Sequence, residues 1–384
     1  MAVTVPPALP RLLHRAADLP ADAWNACAGQ ANPFVRHAFV TALEDSGSAV
    51  PRTGWTPAHL LFDGPDGQVA AILPAWAKTH SQGEYVFDHG WADAYERAGG
   101  AYYPKLQICT PFTPATGPRL LLRNRALARP LIAAAEALVH ANDFSSAHAT
   151  FLAPDEAAAF EAAGWLIRHD LQFHWTNQGY ASFEEFLGQL SSRKRKAIRR
   201  ERAEALRDGL RVVHLTGSDL TEAHWDAFWA FYQDTGARKW GRPYLTRRFF
   251  SLVGERMPER TLLMLAMRGD RPIAGALNFI GADTLFGRYW GCVEDVPFLH
   301  FELCYHQAID WAIAHGLKRV EAGAQGEHKL ARGYLPATTT SAHYLAHPGL
   351  RAAVAHYLEH ERAAVAQHGE RLAEAGPFRH EADC

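Results

Sequence analysis

Three short apolar runs follow one another in the second half of the chain, and each is bounded by residues that favour turns. The runs are Leu262–Met267, Pro272–Ile280 and Thr284–Trp290. Runs of this length, separated by Gly-Asp and Gly-Ala-Asp, predict consecutive antiparallel strands that form a meander.

The spacing of apolar residues changes directly after this meander. Residues from Phe301 to Ile313 are apolar at helical spacing, and Gly316 stands where a helix C-cap belongs. A short strand is predicted at 318–322, and 323–329 is a glycine-containing turn that opens a further helix. Because a helix returns the chain from the meander to this strand, we expect the strand to lie parallel to its neighbour.

The first half of the chain shows the same plan. Two apolar runs, His59–Phe62 and Val69–Trp76, flank the turn sequence Asp63–Gly67 and predict a hairpin. A helix, a strand, a helix and an extended segment follow, at Ala126–His140, Ala147–Leu152, Pro154–Ala163 and Trp165–Trp175. We therefore predict an α/β (α+β) protein with two copies of one architecture, at 1–177 and 178–384.

The second copy begins with predicted elements that precede its meander. These are a helix at Ser182–Arg207, a strand at Arg211–Leu215 and a helix from Thr221, and a last helix at Val354–Ala375 closes the chain. The helix from Thr221 carries one apolar stripe, formed by Trp225, Phe228, Trp229 and Tyr232. Such a stripe at helical spacing predicts a core-facing surface.

Composition sets the class of protein. The chain has 384 residues, of which 48% are hydrophobic and 21% charged, so two domains with sizeable cores are expected. The 39 Lys and Arg residues nearly balance the 41 Asp and Glu residues, so any contact with nucleic acid has to come from a local patch. The five widely spaced cysteines predict a reducing compartment.

No run of about 18 apolar residues occurs, and the N-terminus lacks the pattern of a secretory signal. We therefore expect a cytoplasmic protein without a membrane span. The sequence gives no indication of oligomeric state.

The segment after the last strand of the second copy holds the best candidates for catalysis. A small-residue turn between a strand and a helix presents backbone amides beside a cleft, where an oxyanion can bind. The acid, base and phenol candidates there are Glu321, Glu327, His328 and Tyr334. His328 has an imidazole suited to act as a base near neutral pH, and Glu321 or Glu327 can orient or replace it. Tyr334 or Tyr289 can protonate a leaving group. The alternative is a capped helix with solvated charges.

Candidates for substrate binding surround these residues. They are Gly323, Gln325, Gly326, Lys329 and Arg332 in the turn, Arg288, Tyr289 and Trp290 at the end of the meander, and Trp240 and Tyr244 in the loop Lys239–Tyr244. Cations beside flat rings suit sugar or phosphate recognition, although a packed connecting loop would have the same composition.

A dense basic run is the second candidate for binding. Seven of the ten residues from Arg193 to Arg202 are Lys or Arg, and the run lies on a predicted helix. The phosphate-binding candidates are Arg193, Lys194, Arg195, Lys196 and Arg199. Such density favours contact with phosphates, and the alternative is a solvated face balanced by nearby acids.

His300, Glu302, Cys304 and His306 are residue types that bind metals. On a helix their side chains do not converge on one face, so we predict no metal site. The sequence also lacks GxSxG, HExxH and Walker motifs, so serine hydrolase, zinc protease and P-loop functions have no support.

Six motifs together resemble one family. They are Phe112–Leu121, Ser192–Arg200, Lys239–Tyr244, Tyr289–Gly291, Glu302–Trp311 and Glu321–Tyr334. The element order resembles the core of the GNAT acyltransferase superfamily, and the motifs resemble its FemAB-like branch of predicted N-acyltransferases, grouped with the aminoacyltransferases of peptidoglycan synthesis. The resemblance implies two tandem GNAT-like domains, with an N-terminal domain that holds the acceptor or is degenerate and a C-terminal catalytic domain.

The resemblance further implies transfer of an acyl or aminoacyl group to an amine, in an amino-sugar or peptidoglycan-precursor acceptor. A conventional GNAT binds CoA through a glycine-rich loop, whereas the corresponding segment here, Cys292–His300, has no glycine and contains Glu294 and Asp295. The donor therefore stays open between acyl-CoA and aminoacyl-tRNA, with no permanently bound cofactor. The alternatives are an inactive protein that binds a cell-wall precursor or anionic surface, and a conventional acyl-CoA N-acetyltransferase.

Overall fold

The structure is a computed structural model and describes residues 9–239, 243–323 and 326–379. The chain divides into two compact units. The first unit comprises Met1–Asp170 and Thr339–Val365, and the second comprises Leu171–Thr338 and Ala366–Cys384. The first segment of the first unit ends at Asp170, whereas the predicted boundary lies at Asn177. The chain returns to the first unit at Thr339, so one boundary does not separate the two units.

The strands, in chain order, are β1 (Arg11–Leu13), β2 (Trp55–Pro57), β3 (His59–Asp63), β4 (Val69–Leu73), β5 (Trp76–Lys78), β6 (Lys105–Ile108), β7 (Leu121–Leu122), β8 (Ser146–Ala149), β9 (Leu166–Thr176), β10 (Leu210–Leu215), β11 (Thr261–Arg268), β12 (Arg271–Ile280), β13 (Thr284–Cys292), β14 (Arg319–Glu321) and β15 (Leu335–Leu345).

The α-helices are α1 (Ala21–Ala28), α2 (His37–Asp45), α3 (His89–Arg97), α4 (Ala128–Ala141), α5 (Ala157–Ala162), α6 (Phe183–Gln189), α7 (Ser192–Ala205), α8 (Glu222–Lys239), α9 (Arg247–Arg256), α10 (Leu299–Phe301), α11 (Gln307–Ala314) and α12 (Pro348–Glu374). A π-helical turn, Glu302–His306, joins α10 to α11, and a 3-10 helix, Glu327–Arg332, follows β14.

Two sheets build the first unit. Strands β1, β3, β4 and β7 form a small antiparallel sheet. In the other sheet the neighbours run β2, β5, β6, β8 and β15, and only β6 and β8 are parallel among these pairs. Helix α4 lies over these sheets and buries Leu131 and Ile132 in a core with Leu106, Ala147 and Phe160.

The second unit has one sheet, in the order β10, β11, β12, β13, β14 and β9. Strands β10 to β13 form antiparallel neighbours, as the three apolar runs predict. Strand β14 pairs parallel to β13, with Leu285 opposite Val320, and antiparallel to β9. The predicted parallel pair is confirmed, because the helical segment between Leu299 and Ala314 carries the chain back before β14 begins.

Helix α8 packs its aromatic stripe against this sheet. Trp225, Phe228 and Tyr232 are at most 8% exposed, which confirms the predicted core surface for these three residues, whereas Trp229 is only partly buried. The close approach depends on Gly291 in β13, because a Cβ atom there would lie 2.1 Å from the backbone oxygen of Phe231. Glycine is therefore the residue that lets the helix backbone touch the strand.

Two predicted helices differ from the structure. The basic segment is two helices, α6 and α7, because buried Leu190 leaves the helix and forms a β-bridge with Phe378. The predicted helix after the glycine turn is only the 3-10 helix Glu327–Arg332. It ends at Gly333, which has φ +90° and lets the chain turn directly into β15.

Candidate functional site

A cavity lies where the parallel strands β13 and β14 separate. The last registered pair between them is Phe286 with Glu321, yet β13 continues to Cys292 whereas β14 ends at Glu321. The cavity has a volume of about 100 Å³. Its lining residues in the described part of the chain are Ala276, Leu277, Asn278, Gly287, Arg288, Tyr289, Trp290, His300, Cys304, Tyr305 and Ala322.

A β-bulge aims Arg288 at this cavity. Opposite β12, Leu277 pairs with Tyr289 and Asn278 pairs with Gly287, so Arg288 is the extra residue of β13. A bulge bends its strand and redirects side chains, and bulges are frequent beside active sites. The predicted binding residues Arg288, Tyr289 and Trp290 therefore all line one cavity.

The π-helical turn supplies the opposite wall. The turn holds Cys304 and Tyr305 at the cavity, and the short helix before it holds His300. The His300 ring lies edge-on to Trp290, with ring centroids 5.2 Å apart. A π-turn inserts one residue into a helix and rotates the following side chains, which is a common device at functional sites.

Tyr305, which lines the cavity, forms a hydrogen bond with His328, which is not among the lining residues. The phenol oxygen of Tyr305 lies 2.9 Å from Nε2 of His328. Burial and the nearby Cys304 raise the pKa of Tyr305, against the opposing charge of Arg332, so the phenol keeps its proton. Which of the two atoms donates depends on the tautomer of His328. Gly326 permits this placement, since a Cβ there would lie 2.4 Å from the His328 ring.

Lys329 is buried rather than solvated. Lys329 is only 2% exposed, and its Nζ atom donates a hydrogen bond to the backbone oxygen of Gly323 at 2.9 Å. Burial lowers the pKa of Lys329 to about 8, with Cys304 opposing and Arg288 reinforcing the shift. Lys329 therefore ties the loop after β14 to the 3-10 helix and places a cation behind Cys304 and Arg288.

Arg332 is also a structural cation. Its guanidinium donates to both carboxylate oxygens of Glu201 at 2.8 and 3.0 Å, and to the backbone oxygen of His328 at 2.7 Å. It lies 3.4 Å above the ring of Phe301. Bidentate pairs of this kind are geometrically specific, so Arg332 fixes the segment that carries His328.

The three other predicted catalytic residues lie around this pair. Tyr334 is fully buried and its hydroxyl donates to the backbone oxygen of Tyr305 at 3.2 Å. Glu327 is exposed and lies 3.5 Å from His368. Glu321 is buried with Oε2 3.9 Å from Nε2 of His174, whose pKa is lowered to about 3 by burial and by nearby cations.

The basic run lies on α7 and divides into two groups. Arg195 donates to the backbone oxygen of Leu190, and Arg199 pairs with Glu184 at 2.6 Å. Within the described residues, Arg193, Lys194, Lys196 and Arg200 form no ion pair. None of these side chains lines the cavity.

The remaining predicted binding residues either do not line the cavity or lie outside the residues that the structure describes. Tyr244 is 38% exposed and does not line the cavity. Trp240 and Gln325 lie outside the described residues. Gly323, with φ +80°, accepts the bond from Lys329.

Sequence reasoning missed several cavity residues. Asn278, His300, Cys304 and Tyr305 line the cavity but were not among the predicted site residues. Tyr305 has the spacing of a core-facing helix position, and it is indeed only 3% exposed. A signal was available in the polar residues beside it, since His300, Cys304 and His306 interrupt the apolar face.

Within residues 9–239, 243–323 and 326–379, no three His, Cys, Asp or Glu side chains converge in a way that could hold a metal ion. In the same ranges, no helix combines the length and the apolar character required to cross a membrane.

Comparison with known proteins decides the family. The model of the FemAB-like family, described as peptidoglycan biosynthesis/recognition, matches residues 15–380. The chain belongs to the FemAB-like family. The resemblance carried by the six sequence motifs is thereby confirmed. No curated protein matches this FemAB-like chain.

Three solved structures share the fold of this chain. The FemAB-like chain shares 11% identity with FemX at a TM-score of 0.54, covering 90% of this chain and 100% of that one. It shares 9% identity with the C-terminal domain of a putative lysylphosphatidylglycerol synthetase from Agrobacterium fabrum at a TM-score of 0.53, covering 88% of this chain and 95% of that one. It also shares 9% identity with L-PGS from Bacillus licheniformis at a TM-score of 0.51, covering 86% of this chain and 98% of that one. These likenesses show the fold, and the family match associates the chain with peptidoglycan biosynthesis or recognition.

Proposed function

We propose that the cavity between β13 and β14 is the reaction site of an N-acyltransferase, which passes an activated acyl or aminoacyl group to an amine. The observation that carries this proposal is the 2.9 Å hydrogen bond between Tyr305, which lines the cavity, and His328, which is not among the lining residues. It supplies a proton path that leads out of the cavity. The family's description as peptidoglycan biosynthesis/recognition supports an amino-sugar or peptide-like acceptor.

The reaction requires the acceptor ammonium to lose a proton before attack. The amine nitrogen then bonds to the carbonyl carbon, and the bond from that carbon to the ester oxygen or thioester sulfur of the donor breaks. In our proposal Tyr305 receives a proton from the ammonium while it passes its own to Nε2 of His328. Because the phenol pKa is raised, this exchange is concerted and no free phenolate forms. After attack, the second proton of the nitrogen goes to the departing oxygen or sulfur, and the imidazolium of His328 releases its proton to solvent.

Charge stabilisation is assigned to Arg288. Its backbone position at the bulge directs it to the cavity, and its guanidinium carbon lies 5.2 Å from the centre of the Tyr289 ring. Positive charge that is fixed before the reaction stabilises the negative oxygen of a tetrahedral intermediate. Lys329 is buried, is not among the cavity-lining residues, and adds a second positive charge that interacts with Cys304 and Arg288.

The donor is proposed to carry phosphates, and acyl-CoA and aminoacyl-tRNA both meet this requirement. The cations of α7 that form no ion pair within the described residues support it. The negative charge of Glu294, in the segment that lacks the glycine-rich loop, is balanced because Arg268 and Arg271 both pair with that carboxylate. Burial opposes these cations, but together they hold the pKa of Glu294 below its ordinary value.

The test is a transfer assay with both donor classes. Purified protein is incubated with acetyl-CoA or with a mixture of aminoacyl-tRNAs, and with glucosamine phosphates and peptidoglycan stem peptides as acceptors. Mass spectrometry detects the new amide. We expect transfer by the wild-type protein and its loss in His328→Ala, with the matched histidine variant His356→Ala unchanged, since His356 is exposed in the first unit.

The rival function is binding without turnover. Tight binding of a donor or acceptor by the wild-type protein, measured by calorimetry, with no amide formed under any donor, would overturn the proposed transferase and support a precursor-binding protein. Micromolar binding of CoA together with acetyl transfer would select a conventional acyl-CoA enzyme.

A further inference from the structure

Helix α7 has two chemically distinct faces. Ile198 and Ala205 are buried on one face, and Glu201 and Arg202 project from the same side. The opposite side carries three exposed cations that form no ion pair within the described residues, at Arg193, Lys196 and Arg200. Their spacing of three and four residues places them in one stripe about 10 Å long, since a helix rises about 1.5 Å per residue.

The inner face is bonded to the segment that carries His328. Glu201 accepts two hydrogen bonds from Arg332, which in turn donates to the backbone oxygen of His328 at 2.7 Å. His306 of the π-turn also lies against Glu201, with Nε2 3.4 Å from the carboxylate. Burial opposes ionisation, yet the bonds and charges of His306 and Arg332 keep the pKa of Glu201 below its ordinary value.

A second connection reaches the turn that carries Tyr305. Arg202 donates to both oxygens of Glu302 at 3.1 Å, and Glu302 is fully buried at the start of the π-turn. Gln307 donates to the same carboxylate at 2.7 Å. Adjacent residues of one helix therefore contact the segments that carry both members of the Tyr305–His328 pair, Glu201 through Arg332 and His306, and Arg202 through Glu302 and Asp310.

We infer that Glu201 and Arg202 are positioning residues, through which phosphates bound on the outer stripe of α7 align Tyr305 with His328. The bound group is a chain of phosphates, from either a nucleic-acid backbone or a pyrophosphate. A small rotation or shift of α7 moves both partners together, because each connection includes one bidentate ion pair with no flexible linker. The outer stripe thus couples donor binding to the geometry of the reacting groups.

This inference gives the α7 cations a role in the proposed function, but its test does not depend on turnover. The probes are coenzyme A and a short RNA hairpin, added separately to the full chain. Binding is measured by calorimetry, and imidazole ¹⁵N chemical shifts report the hydrogen bond at Nε2 of His328. We expect at least one probe to bind and to shift the His328 signals, and the probe that does so identifies the source of the phosphates.

Glu201→Gln is the decisive variant. It should leave probe binding unchanged but remove the probe-dependent shift of the His328 signals. Glu204→Gln is the matched control, since Glu204 lies on the same helix and its one ion pair within the described residues is with Arg207, at 3.0 Å. The triple variant Arg193→Gln, Lys196→Gln, Arg200→Gln should lose binding. Should Glu201→Gln fail to fold, Arg332→Lys keeps the charge and removes the bidentate geometry.

If transfer activity is found, Glu201→Gln should lower kcat by about tenfold or more with KM nearly unchanged, because misplacement of a reacting group by about 1 Å can cost on the order of 100-fold. The inference is overturned if neither probe binds, if a bound probe leaves the His328 signals of the wild-type protein unmoved, or if Glu201→Gln retains the shift. A protein that shows the coupled shift but no transfer refutes only the proposed function.

Discussion

The phenol oxygen of Tyr305 lies 2.9 Å from Nε2 of His328, in a hydrogen bond between the buried π-turn and the 3-10 helix that follows β14. In the proposed mechanism Nε2 accepts this bond, so the proton of the neutral imidazole resides on Nδ1. The bond also joins the only proposed proton acceptor to the wall of the cavity. Its removal is therefore the sharpest test of the proposed chemistry.

Tyr305→Phe removes this one oxygen and leaves the ring in place. We expect kcat for acyl transfer to fall by about 100-fold or more, the range for loss of a positioned acid or base. The free energy of unfolding should fall by only about 1 kcal/mol, the net contribution of one hydrogen bond. Steady-state kinetics and urea denaturation measure the two effects.

Tyr344→Phe is the matched control for that substitution. Tyr344 forms a comparable hydrogen bond with His140 at 2.7 Å, and both residues belong to the first unit. We expect transfer to be unaffected. Equal kcat in wild type and Tyr305→Phe would remove the phenol from the mechanism.

Gly291→Ala tests the contact between α8 and β13. The new methyl group would lie 2.1 Å from the backbone oxygen of Phe231, and backbone cannot move aside as a flexible side chain can. We expect the free energy of unfolding to fall by about 3 kcal/mol, at the upper range for overpacking. Chemical denaturation monitored by circular dichroism gives the value.

Gly188→Ala provides the comparison for that prediction. Gly188 lies in α6, and a Cβ atom there would have no neighbour within 4 Å. Since alanine favours a helix over glycine by about 1 kcal/mol, this variant should be unchanged or slightly stabilised. Similar losses in both variants would contradict the steric explanation.

The sequence was sufficient to predict the antiparallel strand meander, because the apolar runs that form it are short and sharply bounded. The parallel placement of β14 followed from the helix that precedes it, and it is confirmed by the pairing of Leu285 with Val320. The family was also accessible, because its motifs are contiguous stretches of sequence. These features are local, or depend on connections that follow from chain order.

The site chemistry was harder to predict because it depends on distant contacts. Arg332 and Glu201 are separated by 131 residues, so nothing in the local sequence shows that this cation is already paired. Tyr305 has the spacing of a core residue, and a π-turn has no periodic signal that brings its side chain to a cavity. Lys329 looks like a solvated charge beside Glu327, although the structure buries it.

The buried ammonium of Lys329 should be visible in the pH dependence of stability. Its pKa is lowered from 10.5 to about 8, chiefly by burial. Between these values the unfolded chain binds a proton that the folded protein does not, so the free energy of unfolding contributed by this group rises with pH. The increase should be on the order of 3 kcal/mol between about pH 8 and 10.5.

Lys329→Met isolates this contribution. The difference in unfolding free energy between wild type and variant should increase in favour of wild type as the pH rises from 8 to 10.5, and should be flat below pH 7. Urea titrations at several pH values measure it. A constant difference across the whole range would show that Lys329 keeps an ordinary pKa in the folded protein.

Arg202→Gln tests the ion pair that anchors the π-turn. Glu302 is fully buried, and loss of Arg202 leaves its charge with only the hydrogen bond from Gln307. Removal of one partner from a buried pair typically costs several kcal/mol, and we expect the free energy of unfolding to fall by about 3 kcal/mol because Arg202 itself is partly exposed.

The neighbouring Arg200→Gln should change the free energy of unfolding by less than about 0.5 kcal/mol, since Arg200 is exposed and forms no ion pair within the described residues. Thermal and urea unfolding of both variants decide the matter, because equal effects would mean that the charge of α7, and not this particular contact, governs the stability of the second unit.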